Sequence, residues 1–438
     1  MGQRGTTGVH AEGSDSVVGA TTEFETDVIN LLVETVRRAV RRELSVVGTD
    51  TLLGELVLGE SDAGEAFAPG MRKAGSLSGL IAGRAGLGWV SDDEAPGVPQ
   101  AAERVAGEAG EEAGEREADD AKEVADEAEV ESAWREALWR FEALSSRSDR
   151  KSGRALPGMT GALRVCLLLA LGTARAEGTI AVRCRHVARA LLELPDTRAR
   201  EALVLERLDT AAAARALDAV DAGATAETER PESSGTAVLR RAGTFGKSGN
   251  RLTRALASWI AQSQANGSPV VSAVSVEAAR QAVRRGRDAA EPVDLLLGTL
   301  ALDRGLSVAG RSLPESLTDV NAAPELLRRH GVRQVSLAAS ASKLPPAAAP
   351  EGEGGGEGGG EGDGDGGSHE YGPLSAAANR VVSVARLSAA EHGSPTVGTV
   401  HLLAALLDER SGAVGRLLAA EQVDVAALRA ELDLRLGA

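Results

Sequence analysis

Apolar residues recur along this chain at the spacing of one helix face, and the alternation typical of strands is scarce. Side chains three or four positions apart lie on the same face of an α-helix, so such a stripe predicts an amphipathic helix. Near the C-terminus the stripe consists of Leu374, Ala378, Val381, Val382, Ala385 and Ala389. A second apolar helix, VGTVHLLAALL from Val397, follows after a short break.

The same two-helix pattern occurs in four copies. A shift of 215 residues places Met159, Leu163, Cys166, Leu167, Ala170 and Ala174 on the stripe, and a shift of 350 places Phe24, Val28, Leu31, Leu32, Thr35 and Ala39 there. The second helices are VGTDTLLGELV from Val47 and VRCRHVARALL from Val182. A weaker copy has VSVEAARQAVRRG followed by EPVDLLLGTL. Copies two to four then continue into a further helical segment, which in copy one is interrupted by Pro69, Gly70 and Gly75.

The charge divides the chain into folded parts and connectors. Residues 103–131 hold 13 acidic and 3 basic side chains, and residues 351–370 hold 7 acidic and no basic ones, so these two segments account for the net charge of −16. Such segments are expected to remain solvated and extended. The predicted organisation is a disordered tail (1–21), repeat 1 (22–84), an acidic linker (85–131), a leading helix with repeat 2 (132–222), a linker (223–250), a degenerate repeat 3 (251–338), a Gly/Glu linker (339–370) and repeat 4 (371–438).

The combination of VGTxHLLxxLL with a closing xLLxxxxVDxxALRxEL resembles the Clp R repeat of the Clp N-terminal domain family. Residues 374–432 carry the pattern most fully. The resemblance implies an all-α fold in which repeats pack in pairs, so four repeats would make two units. It also implies a docking platform for adaptors and substrates, or in some branches for phosphorylated arginine or cyclic peptide antibiotics. Which repeats pair with each other, and whether they pair within one chain, is left open by the sequence.

Motifs for catalysis were sought and not found. A P-loop needs GxxxxGK followed by Ser or Thr, but in RAGTFGKSG the first glycine is replaced by Arg241, and only Gly246, Lys247 and Ser248 match. The six histidines are scattered, and neither HExxH nor a GxSxG elbow occurs. We therefore expect a protein that is not an enzyme, lacks the ATPase modules of Clp machines, and holds no metal or cofactor.

Four residues at the start of the second helices are the candidate ligand-binding residues: Thr49, Asp50, Thr399 and His401. Thr49 and Thr399 are predicted N-caps, and Asp50 suits the positive end of the helix dipole. The resemblance implies that an acidic residue at the Asp50 position, repeated in both halves of a pair, can grip a guanidinium group. The positions equivalent to Asp50 are Arg185, Val293 and Val400, so only one carboxylate is present. His186 and His401 are interpreted as packing or capping groups.

The leading hypothesis is a non-catalytic protein- or peptide-binding module that acts as adaptor, decoy or sequestering protein in Clp-dependent proteolysis. Its expected partners are a Clp unfoldase, its adaptors or its substrates. Two cysteines are too few for a secreted disulfide framework, and no apolar run could span a bilayer, so a cytoplasmic protein is expected. The alternative is a helical regulator linked to nucleic acid, suggested by RRAVRR at Arg37–Arg42 and RRGR at Arg284–Arg287, although such clusters are more often solvated helix faces.

Overall fold

The computed structural model describes residues 19–59, 61–84, 89, 112–144, 155–223, 231–245, 268–344, 372–409 and 412–437. Nineteen α-helices and one 3-10 turn make up most of these residues, and each of the four strands is only two residues long. The predicted all-α fold is therefore confirmed.

The first two repeats form one unit, the first unit, which spans residues 23–223. Its helices are α1 (Thr26–Arg41), α2 (Thr49–Leu58), α3 (Asp62–Phe67), α4 (Met71–Arg84), α5 (Glu112–Leu144), α6 (Gly161–Ala176), α7 (Cys184–Glu193), α8 (Arg198–Leu205) and α9 (Thr210–Gly223). Its strands are β1 (Glu23–Phe24), β2 (Val46–Val47), β3 (Gly158–Met159) and β4 (Ala181–Val182). One apolar core contains buried residues from both repeats, the first being Phe24 and the last Leu217.

The last two repeats form the second unit, which spans residues 231–437. Its helices are α10 (Ser234–Arg241), α11 (Pro269–Arg284), α12 (Pro292–Val308), α13 (Glu315–Thr318), α14 (Ala323–Arg329), α15 (Gln334–Ser342), α16 (Ala376–Glu391), α17 (Thr399–Leu407), α18 (Ala413–Ala420) and α19 (Val425–Gly437). Its core runs from Leu239 to Leu432 and is separate from the first core. Repeat 1 thus pairs with repeat 2, and repeat 3 with repeat 4, within one chain.

Within the first unit the two repeats exchange short strands reciprocally. β1 lies parallel to β4, with Phe24 opposite Val182, and β2 lies parallel to β3, with Val47 opposite Met159. Each pair joins the strand before the first helix of one repeat to the strand before the second helix of the other. This arrangement is a pseudo-two-fold exchange, because the two pairs interchange when the repeats are interchanged.

The second unit keeps one half of this exchange as a single parallel bridge. Ala290 pairs with Leu374, and Ser375 N–H donates to the carbonyl of Ala290 over 2.8 Å. On the other side the Ser268 hydroxyl donates to the carbonyl of Val397. The exchanged contacts precede the helices that carry the candidate residues, and so they set the positions of those helices.

Two predicted linkers contain helices. α5 begins at Glu112, inside the predicted acidic linker 85–131, and its residues Val130, Ala133, Ala137 and Phe141 are buried in the first core. Acidic side chains of α5 form ion pairs with α6: Glu127 and Glu131 contact Arg164, and Asp126 contacts Arg175. These partners offset part of the segment's negative charge and help a helix to form where the sequence predicts an extended connector.

α10 lies inside the predicted linker 223–250 and buries Leu239 against the second core. Parts of three predicted segments lie outside the described residues. They are residues 1–18 of the tail, residues 85–88 and 90–111 of the acidic linker, and residues 345–370 of the Gly/Glu linker.

Helices α11 and α12 pack closely at Gly298. A Cβ at Gly298 would lie 2.6 Å from the backbone nitrogen of Ala278 and 2.7 Å from the carbonyl oxygen of Val274. These are backbone atoms, which cannot rotate away as a side chain can. By contrast, a Cβ at Gly415 in α18 would meet nothing within 4 Å.

We expect Gly298→Ala to lower the free energy of unfolding by about 2 kcal/mol or more, because overpacking against backbone costs more than helix propensity returns. The matched control, Gly415→Ala, should raise it by up to about 1 kcal/mol, since alanine favours a helix interior. Urea denaturation followed by circular dichroism measures both. Equal effects of the two variants would contradict the close contact between α11 and α12.

Candidate functional site

Thr49 and Thr399 each join two repeats. The hydroxyl oxygen of Thr49 accepts the backbone N–H of Ala199 at 3.2 Å, and that of Thr399 accepts the N–H of Ala323 at 3.3 Å. Ala199 lies in the first turn of α8 and Ala323 in the first turn of α14, each in the paired repeat, where backbone N–H groups have no intrahelical acceptor. Both threonine side chains are buried, so they stabilise the pairing of repeats.

The prediction that these threonines are N-caps is wrong. The residue before each helix is glycine: Gly48 and Gly398 have the extended backbone of an N-cap, and Thr49 and Thr399 are the first helical residues. Glycine is needed at Gly398 because a Cβ there would collide with the carbonyl of Val320. This close approach depends on the paired repeat, so helix-start preferences alone could not reveal it.

His401 completes the start of its helix. Its Nδ1 accepts the backbone N–H of Gly398 at 3.0 Å. His186 and Asp294, at the equivalent positions, accept the N–H of Arg183 and Glu291, both at 2.9 Å. This is the reciprocal half of a capping box.

Burial lowers the pKa of His401, and the nearby His392 lowers it further. The imidazole therefore remains neutral, and its unprotonated Nδ1 continues to accept the N–H of Gly398. The interpretation of His401 as a capping group agrees with this geometry.

Asp50 does not face a second carboxylate across its repeat pair. It is buried in the first turn of α2, and its counterpart in the paired repeat is Arg185. Arg185 pairs with Glu177 at 2.6 Å and Asp221 at 3.0 Å. In the second unit both equivalent positions are valines, Val293 and Val400. The acidic pair implied by the resemblance is thus absent at these described positions, and the candidate residues are divided between the two units.

All three arginines of RRGR and two of the four in RRAVRR form internal ion pairs. In RRGR, Arg284 binds Glu129 and Glu136, Arg285 binds Asp294, and Arg287 binds Glu291 at 2.9 Å. In RRAVRR, Arg37 pairs with Glu34 and Arg38 with Glu55. These guanidinium groups already have acidic partners, so contacting phosphates would require breaking ion pairs.

The sequence did not single out Glu23, Glu25 or Arg304, which belong to a buried charge cluster between the two units. Burial raises the pKa of Glu23, but Arg304, Arg280 and Arg284 outweigh this effect and hold its pKa at about 2. For Glu25 burial dominates over Arg304, and its pKa is raised. A sequence signal existed in Arg280 and Arg284, four positions apart on a helix that otherwise reads as apolar, but their partners lie more than a hundred residues away.

The outward face of α16 carries the largest exposed apolar side chains of repeat 4's first helix. Val384 is 44% exposed and Leu387 is 64% exposed, one turn apart. At the equivalent positions of repeat 3, Glu277 and Arg280 are buried. An apolar surface of this kind can take part in protein contacts.

Cys166 and Cys184 are both buried, and neither is part of a disulfide bond. No helix among the described residues has the length and apolarity needed to cross a membrane. Within the same residues no three His, Cys, Asp or Glu side chains are placed to hold a metal ion. Gly246, Lys247 and Ser248, the partial P-loop match, lie outside the described residues, and Arg241 is the last residue of α10.

Thr399→Val should destabilise the second unit by about 1–3 kcal/mol, because it leaves the buried N–H of Ala323 without an acceptor. Thr318→Val is the matched control: Thr318 is exposed and its hydroxyl contacts only the carbonyl of its own turn. Urea denaturation measures both variants. If Thr399→Val costs no more than the control, the hydroxyl does not stabilise the pairing of repeats.

The stability contributed by Glu23 should depend on pH. Its folded pKa of about 2 is below its ordinary value of 4.5, so its stabilisation is fully present above pH 4.5 and is lost as pH falls toward 2. The loss caused by Glu23→Gln should therefore be on the order of 3 kcal/mol at pH 7 and should shrink below pH 4.5. Denaturant unfolding at several pH values tests this, with exposed Glu65→Gln as the control. A loss that does not change with pH would contradict the expectation.

Residues 373–438 match the family model of the Clp repeat (R) N-terminal domain. These residues cover α16 to α19 and the bridge residue Leu374. No curated protein and no solved structure matches the chain. The match agrees with the helical hairpin, the exchanged contact and the buried helix start seen in this segment, so residues 373–438 are similar to the Clp repeat N-terminal domain in sequence and in helical arrangement.

Proposed function

We propose that this protein is a non-catalytic binding module for proteins or peptides that acts as adaptor, decoy or sequestering protein in Clp-dependent proteolysis. The observation that carries the proposal is the Clp repeat at residues 373–438, which packs with a second repeat into one complete two-repeat unit. Clp N-terminal domains are protein-interaction modules, so protein partners follow from the repeat itself. A Clp unfoldase, its adaptors or its substrates are the partners we propose.

The surface we propose for this contact is the outward face of α16. Val384 and Leu387 are exposed there, next to the polar side chains of Asn379, Arg380 and Ser383. An apolar centre with a polar rim is the usual anatomy of a protein-binding patch. By contrast, the starts of α2 and α17 contribute buried side chains to the pairing of repeats, so we do not place the binding surface there.

We also propose that the protein has no catalytic activity. The P-loop match fails at Arg241, where the motif needs a glycine, and Arg241 ends a helix instead of following a strand. We also propose a cytoplasmic site of action, supported by the two buried cysteines, which form no disulfide bond, as expected in a reducing compartment. The arginines of RRGR are engaged in internal ion pairs, and this supports a protein partner over nucleic acid.

A degradation assay tests the function. A reconstituted Clp unfoldase and peptidase from the source organism degrades a fluorescent folded substrate while this protein is titrated in. A sequestering protein or decoy should lower the initial rate, and an adaptor should raise it. An unchanged rate at large molar excess, with no complex on analytical ultracentrifugation, would contradict the proposal.

A variant pair tests the surface. Val384→Glu combined with Leu387→Glu should weaken the effect about tenfold, or ~1.4 kcal/mol of binding free energy, because charges would replace the apolar centre. The control carries the same charges at two exposed alanines of the same helix that are not among the patch residues, Ala376→Glu with Ala390→Glu. Equal loss in both variants would indicate a purely electrostatic effect and would contradict the assignment of this surface.

A further inference from the structure

The two units meet through very little apolar surface. Their hydrophobic cores are separate, and the only apolar cluster described between them is small: Ala279 and Val283 of α11 with Trp139 of α5 and the partly buried Val276. Contacts of this size cannot by themselves fix how two units are oriented. Some other interaction has to set the angle between them.

Two arginines of α11 enter a group of carboxylates from the first unit. Arg280 Nη1 lies 2.9 Å from Glu23 Oε2, and its Nε lies 3.0 Å from Glu136 Oε1. Arg284 Nη2 lies 2.6 Å from Glu129 Oε2, and its Nη1 lies 3.0 Å from Glu136 Oε2. Glu136 thereby bridges the two guanidinium groups.

A third arginine, Arg304 of α12, binds the segment that precedes α1. Its Nη2 lies 2.5 Å from Glu25 Oε1 and donates to the carbonyl of Ile180 at 2.6 Å, while its Nε donates to the carbonyl of Thr21 at 2.7 Å. Nearby, Val335 N–H donates to the carbonyl of Gly19. We call Glu23, Glu25, Glu129, Glu136, Arg280, Arg284 and Arg304 the junction cluster.

The junction cluster is buried, and no member is more than 8% exposed. A buried charge is tolerated only while its partners remain in place, because the penalty for leaving it unpaired is large. The planar guanidinium groups, each with several fixed donors, accept only a narrow range of partner positions. An interface held in this way is specific in orientation.

The charges are not part of the repeat pattern. In repeat 4, Leu387 and Glu391 occupy the positions of Arg280 and Arg284, and both are exposed. The first helix of a repeat therefore folds without these arginines. In repeat 3 they serve the contact with the first unit, a contact that repeat 4 does not make at these positions.

We propose that the junction cluster is an orientation lock: it holds the two Clp-like units at one fixed angle, and the units become hinged bodies when its guanidinium groups are removed. Each unit keeps its own apolar core and its own exchanged contacts, so both survive the release. The inference concerns this chain alone and does not depend on the proposed partner.

Distance measurement by double electron–electron resonance tests the lock on the full chain. Spin labels are attached at Lys73→Cys in the first unit and Ser383→Cys in the second, both exposed positions, while Cys166 and Cys184 are buried. The native cluster should give one narrow distance distribution. Arg280→Gln with Arg284→Gln should at least about double its width, as for domains without a fixed interface, while the helical circular dichroism is retained.

The matched control removes two arginines that pair within the first unit, Arg164→Gln with Arg175→Gln. It should leave the distribution narrow. A narrow distribution in the folded junction variant, or a broad one with the native cluster, would overturn the lock.

If Arg280→Gln with Arg284→Gln loses its helical circular dichroism, the distance distribution of Glu136→Gln is measured instead. This variant keeps all three arginines and leaves Glu23 and Glu129 as their partners. A broadened distribution supports the lock, and an unchanged width overturns it.

Discussion

The apolar surface of each repeat is buried in part by the repeat with which it pairs, and this constraint organises the molecule. The second helix of each repeat packs against a helix of the paired repeat: α2 against α8, α7 against α3, α12 against α18 and α17 against α14. In the first unit, the short strands before the second helices also pair with strands of the other repeat. Thr49 and Thr399 show the same dependence in single hydrogen bonds, because each hydroxyl accepts a backbone N–H of the paired repeat. Each repeat therefore relies on its partner within the same chain to complete its packing.

The helical fold and the four copies could be predicted because they depend on local spacing. Positions such as Val381, Val382 and Ala385 report a helix face whatever surrounds it. The start of α17 could not be predicted in detail: Thr399 has the chemistry of an N-cap, but the carbonyl of Val320 requires glycine one position earlier. That carbonyl belongs to the paired repeat, and the sequence does not show which repeats pair.

The acidic segment before repeat 2 shows the same limit. Read by itself, the run of carboxylates around Asp126 and Glu127 indicates a solvated connector. Read against Arg164 and Arg175 of α6, it is one face of a helix whose other face buries Val130 and Ala137. The net charge of a sequence segment predicts whether that segment is solvated only when the ion-pair partners of its side chains lie in the same segment. Glu129 and Glu136, which meet arginines of the second unit, extend this point across the molecule.

Buried ion pairs contribute less to stability than apolar contacts of similar size, and what they provide is definition of geometry. In the junction cluster the stronger of burial and attraction differs from one carboxylate to the next: attraction to the arginines dominates at Glu23, whose pKa falls, and burial dominates at Glu25 and Glu129, whose pKa values rise. Neighbouring carboxylates thus respond differently to the same guanidinium groups. The apolar cores keep the units folded, and the charges decide how they face each other.

The contacts of Arg304 also bear on how the chain is made. Its hydrogen bond to Thr21 closes a sequence separation of 283 residues, and that of Arg280 to Glu23 closes 257. During synthesis from the N-terminus, the first two repeats emerge and fold well before either arginine leaves the ribosome. Glu23 and Glu25 are then still hydrated, and they lose that water only after α11 and α12 have emerged. The nascent chain therefore passes through a stage in which the first unit is folded and the carboxylates of the junction cluster are still exposed to solvent.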